Sequence, residues 1–228
     1  GQDVVVTFQG PGGQPAPSYT ATGLFQVTAP TYSDSAANYS GWANGSTGGT
    51  GFGTWNLSTT GSAGTFLGSA SDTNMNVGAT SGFGLWANSG GVITAARNIT
   101  NPLGSGDNFT VRFDNNFVDT SSQVGFALTD LSGAVRFRFY FVGGESTYRV
   151  TDATTGRVTT IPWTDAGLTV SFTQTSSTAY SVTVGATTVT GTLGSGSAIS
   201  RVVIENNNAG LNADHNLYFG EMSIIDVP

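Results

Sequence analysis

Chemistry has few footholds in this chain, which holds one histidine, three glutamates and seven arginines and neither cysteine nor lysine. His215 stands alone, so a zinc centre or a Ser-His-Asp triad would have to converge on that residue. No Gly-x-Ser-x-Gly nucleophile turn lies near it. Glycoside hydrolysis needs two carboxylates across a cleft. Glu145, Glu205 and Glu221 each lack an Asp or Glu two to four residues away. Without lysine there is no Schiff base and no Lys–Asn isopeptide bond. The sequence therefore predicts a protein that is not an enzyme.

Binding chemistry is better provided for. Arg112, Arg136, Arg138, Arg149 and Arg201 fall on the polar side of alternating segments, together with Tyr140, Asp114 and Glu205. Arginine forks beside an aromatic ring suit a sugar or a carboxylate, although a solvated sheet face also takes long polar side chains. Of the four tryptophans, Trp163 follows Ile161-Pro162 and is the one expected at a surface. The others suit gaps beside glycine. Asp72, Asn74 and Asn76 alternate along a short stretch, a spacing suited to calcium or to a turn with Asx hydrogen bonds.

These side chains require strands to position them. Phe109, Val111 and Phe113 share a face, as do Val124, Phe126 and Leu128, and then Val135, Phe137, Phe139 and Phe141. Further alternating sets follow at Tyr148/Val150, Leu168/Val170/Phe172, Tyr180/Val182/Val184, Val202/Ile204 and Leu217/Phe219. Glycine, Asp and Ser mark turns between them. Glycine-rich residues 40–64 read as short strands and loops. No helix and no 20–50-residue repeat stands out. The fold class expected is all-β, a two-sheet antiparallel sandwich.

The front end differs. Residues 1–8 form one segment with a hydrophobic strand, Val4, Val5, Val6 and Phe8. Residues 9–18 form a Pro/Gly-rich linker, and residues 19–228 the sandwich domain. A strand on a linker can complete a neighbour's sheet, which would join copies head-to-tail into filaments. Pairing within its own sandwich, beside the last strand, is the alternative.

Composition narrows the partners. The net charge of −7 argues against nucleic acid, and no run of about 20 apolar residues predicts membrane insertion. Low charge, absent lysine and a Gly1-Gln2-Asp3 start that fits signal cleavage predict an extracellular or cell-surface location.

The segments Gly125-Phe-Ala-Leu-Thr-Asp-Leu-Ser-Gly133, Gly143-Gly144 and Tyr148-Arg-Val-Thr-Asp152 resemble the central hairpins of concanavalin A-like (laminin G-like) jelly rolls. Asn216 to Pro228 is similar to their last strand. That ending also resembles the approach to a PEP-CTERM sorting signal, with Val227-Pro228 present and the sorting tail absent. The jelly-roll resemblance implies glycan binding or assembly outside cells and transfers no catalytic residue. Two readings result: an extracellular structural protein that self-associates, and a carbohydrate-binding module, with extracellular polysaccharide as partner and calcium as a possible cofactor.

Overall fold

Alternation of apolar and polar residues puts every second side chain on one face of a strand. The computed structural model shows which faces meet. It describes residues 4–6, 19–21, 29 and 31–227. The chain divides into two units, residues 1–30 and 31–228.

In the first unit β1 (Val4–Val6) pairs antiparallel with β2 (Tyr19–Ala21), Val5 opposite Thr20. Among the described residues, the strand in this front segment is β1, and its hydrogen-bonding partner is β2. Phe8 and the linker of residues 9–18 lie outside the described residues.

The second unit is the sandwich. Its strands are β3 (Thr31–Asp34), β4 (Asn56–Ser69), β5 (Ser81–Asn98), β6 (Asn108–Asn115), β7 (Gln123–Thr129), β8 (Val135–Val142), β9 (Thr147–Thr151) and β10 (Arg157–Pro162). They continue as β11 (Leu168–Gln174), β12 (Ala179–Val184), β13 (Thr187–Thr192), β14 (Arg201–Asn207) and β15 (Leu217–Ile225). Hydrogen bonds run in the order β10-β9-β8-β7-β14-β5-β15-β6-β11-β12-β13. β5 belongs to both layers: residues 92–98 pair with β14, and residues 83–85 with β15. Between these stretches Ser89 and Gly90 take left-handed φ values of 51° and 82°. The strand changes sheets there, as strands do at the corners of a sandwich. The first sheet follows β10-β9-β8-β7-β14-β5 and the second β5-β15-β6-β11-β12-β13, with β4 paired along β5 and β3 along β15.

The inner faces carry the residues that the alternation assigns to them. Phe109, Val111, Phe113, Phe126, Phe137, Phe139, Val170, Phe172, Val202 and Ile204 are buried in one core. Trp42 and Trp55 join Phe83 and Phe219 at ring-centroid distances of 4.8–5.9 Å, the edge-on and offset arrangements that aromatic rings prefer.

Two local expectations need correction. Within residues 40–64, those from Asn56 onward are not short strands and loops but the larger part of one 14-residue strand, Asn56–Ser69. Glycines make this possible by leaving room for large neighbours: a Cβ on Gly64 would lie 2.8 Å from Trp86 Nε1, and one on Gly68 2.8 Å from Met75 Sδ. Val135 does not share the core face of Phe137. It is 38% exposed while Arg136 is 7% exposed, because the β7–β8 register shifts between Leu128 and Thr129.

Candidate functional site

The outer face of the first sheet gathers most of the polar side chains that alternation singles out. In β7–β8 pairing Tyr140 sits opposite Gly125, and Arg138 opposite Ala127. Arg149 of β9 lies beside Tyr140. On β14, Glu205 is opposite Gly125 and Arg201 opposite Thr129. Pairing thus sets Arg138, Tyr140, Arg149, Arg201 and Glu205 in adjacent rows.

Their geometry is fixed. The Arg138 guanidinium lies 4.2 Å from the Tyr140 ring centroid, a cation–π contact. It donates to Gln123 Oε1 at 3.0 Å and to Glu205 Oε1 at 3.1 Å. Arg149 grips Glu145 through two bonds of 2.7 and 2.6 Å and donates to the Gly156 carbonyl. That paired grip raises the Arg149 pKa further above its ordinary value. A groove of about 390 Å³ runs beside Arg138 and Glu205, past Thr129 and Arg201.

Arg112 and Arg136 are not brought to this face. Arg112 is on β6 in the second sheet, where it donates to the Asn76 and Ala166 carbonyls. Arg136 is buried and donates to the carbonyls of Gly194, Gly196 and Ser197. The bulge that turns Val135 outward turns Arg136 into the 194–197 loop.

Trp163 is half-buried, 6.0 Å from Phe141 and 5.9 Å from Phe117 between ring centroids. The exposed ring of this group is Phe117, 60% accessible. It follows three polar residues and falls outside any alternating run, so no pattern in the sequence marks it. His215 approaches Asp119 with Nε2–Oδ1 at 3.3 Å.

The turn of Asp72, Asn74 and Asn76 folds over the second sheet, and its polar groups are already engaged. Asp72 accepts from the Ser69 amide, Asn74 donates to Asp214, and Asn76 donates to the Asp165 carbonyl. The Asn76 amide caps Asp114 Oδ2 at 2.7 Å. Burial pushes the Asp114 carboxyl up to about 6. Among the described residues no three His, Cys, Asp or Glu side chains gather as a metal cluster.

No protein-family model matches the chain, and no curated protein matches it. Solved structures do. The apo Crh5 transglycosylase matches with a TM-score of 0.54 at 12% identity, over 89% of this chain and 86% of that one. The VIP36 exoplasmic/lumenal domain with Ca²⁺ and Man3GlcNAc gives 0.48 at 8% identity, over 76% and 85%. The galectin LEC-6 of Caenorhabditis elegans gives 0.41 at 10% identity, over 54% and 87%. At 12% identity the likeness to the transglycosylase is one of fold, and the fold, two packed antiparallel sheets, is the jelly-roll β-sandwich.

Proposed function

We propose that this chain is a carbohydrate-binding module that works outside the cell and binds polysaccharide on the outer face of its first sheet. The observation that carries this reading is Arg138, stacked on Tyr140 and held between Gln123 and Glu205 beside an open groove. A sugar presents hydroxyls in fixed directions, and a site with its donors and acceptors already locked loses little side-chain entropy on binding it. The groove offers both kinds of group on a rigid sheet. Glu145 and Glu205 are each ion-paired to an arginine, so the carboxylates of this face fit a binding role and not acid–base work.

A glycan array tests the reading, read with and without a chelator to ask whether calcium takes part through Asp72, Asn74 and Asn76. Binding to at least one polysaccharide, weakened at least tenfold by Arg138→Ala, is the expected result. No binding to any glycan would overturn it.

Self-association is the second reading, and one observation favours it. β1 and β2 are three residues each and, among the described residues, form a sheet of two strands. Such a hairpin is marginal alone in water, which leaves Val4, Val5 and Val6 suited to pairing with another copy. Light scattering of the full chain against a chain lacking residues 1–18 tests this. A monomer in both cases would remove the reading.

A further inference from the structure

We infer that Arg201 anchors a carboxylate-bearing sugar unit, so that the ligand class is an acidic, uronate-containing polysaccharide. This inference rests on the carbohydrate-binding reading and names the ligand class within it.

Six of the seven arginines are occupied. Arg97 is paired with Asp34, Arg138 with Glu205, Arg149 with Glu145 and Arg157 with Asp152. Arg112 and Arg136 donate to backbone carbonyls. Arg201 has no side-chain hydrogen bond or ion pair among the described residues. It is half-buried, and a guanidinium presents a fork of N–H donors with no acceptor. A partly desolvated, unpaired charge costs free energy unless something meets it.

The surroundings say what would meet it. Two grooves converge on Arg201. One, of about 360 Å³, is lined with Thr54, Asn56, Asn98 and Leu131. The other, of about 390 Å³, passes Thr129 toward Arg138 and Glu205. Thr129 is 4% exposed, and its hydroxyl is buried with no hydrogen-bond partner. It stands opposite Arg201 in the β7–β14 ladder, as Asn98 does in the β5–β14 ladder. Leu131 is 66% exposed at the rim and offers an apolar surface to the C–H face of a sugar ring.

One free fork among amides and hydroxyls matches a ligand with one charge per unit and hydroxyls around it. The guanidinium fork takes a carboxylate through two parallel bonds. A polyphosphate chain would need several free cations along its path, and among the described residues this face has one. The charges of the face (Arg138, Arg149 and Arg201 against Glu145 and Glu205) leave it one positive charge in excess on a chain of net charge −7.

Isothermal titration with polygalacturonate and alginate, each beside its methyl-esterified form, tests the inference. The expected result is at least tenfold tighter binding of one acid polymer than of its ester, with the difference shrinking as salt is raised. Arg201→Gln should bring the acid form down to the affinity of the ester, and Arg201→Lys, which keeps the charge but not the fork, should retain part of the preference. Neither variant should melt below the wild type, since Arg201 holds no other group among the described residues. Equal binding of acid and ester, or a preference that survives Arg201→Gln, would overturn the inference and leave the carbohydrate reading standing. Failure to bind either form or any arrayed glycan would overturn both.

Discussion

Arg97 and Asp34 form an ion pair in the interior of the sandwich, with both side chains fully buried. The rest of the guanidinium is used as well. It donates to the carbonyls of Gly48, Phe52 and Gly53 and lies 5.0 Å from the Trp55 ring centroid. Tyr39 donates to the same carboxylate at 2.7 Å, and burial, reinforced by that bond, pushes its hydroxyl up to about 12. One arginine thus ties the 34–53 segment onto β5. Removing one partner of a buried pair leaves an uncompensated charge, at a cost of about 3–5 kcal/mol. Asp34→Ala is expected to lose that much in urea denaturation, and Asp34→Ala with Arg97→Met to recover a large part. A loss below about 1 kcal/mol in the single variant would contradict this account.

Arg136 separates the stability role of an arginine from a binding role. Its fork spans three carbonyls of the 194–197 loop, and hydrogen bonds from charged groups contribute about 1.5–3 kcal/mol each. Arg136→Ala and Arg136→Lys are both expected to lower unfolding free energy by at least about 2 kcal/mol, lysine failing because it has no planar fork. Glycan affinity of the folded variants should equal that of the wild type, in contrast to Arg138→Ala. Parallel denaturation and titration experiments check both halves.

The contrast also shows what the sequence reveals and where it stops. Phe109 to Phe172 could be placed on the core face because antiparallel strands with one solvated side keep a strict period of two. The same rule put Arg138, Tyr140, Arg149 and Arg201 on the outer face. It misplaced Arg136, since a bulge changes the phase and leaves no mark in the pattern. Arg112 alternates correctly, but alternation does not tell which of two sheets a strand joins. Arg97 sits two residues beyond Ala95 and four beyond Ile93, in phase with the core, and that phase was the signal of its burial. Asp34, its partner, lies in a four-residue strand too short to show a period.

Asp114 should give the protein a pH signature. Its carboxyl is buried between Arg112 and the turn at Asn76, with one oxygen unpartnered. Burial is the main cause of its rise from 3.8 to about 6, with Asp165 adding to it and the Asn76 amide and Arg112 opposing. The folded state therefore holds this proton more tightly than the unfolded chain. Its contribution to stability is complete below pH 4 and is lost as pH rises through about 6. The swing is on the order of 1–2 kcal/mol after solvent screening. Melting temperatures of the wild type and Asp114→Asn between pH 4 and 7 should differ in slope, the variant being flatter. Parallel profiles would refute it.

Gly125 is the position where the binding face depends on having no side chain. It lies opposite both Tyr140 and Glu205. A Cβ there would come within 2.3 Å of the Phe139 carbonyl oxygen and 2.6 Å of Tyr140 Cβ. Those are backbone and near-backbone atoms of the paired strand, which a rotamer change does not move aside. Gly125→Ala is therefore expected to cost about 1–3 kcal/mol as an overpacking defect and to push Tyr140 off its place beneath Arg138. Because the Arg138 stack carries the proposed recognition, glycan affinity should fall with it. Ala127→Ser, two residues along the same face and opposite Arg138, supplies the comparison: it adds one hydroxyl without crowding Tyr140 and should change stability by less than about 0.5 kcal/mol. Urea melts and titrations of the two variants decide the matter. If Gly125→Ala keeps wild-type affinity, Tyr140 does not set the position of Arg138.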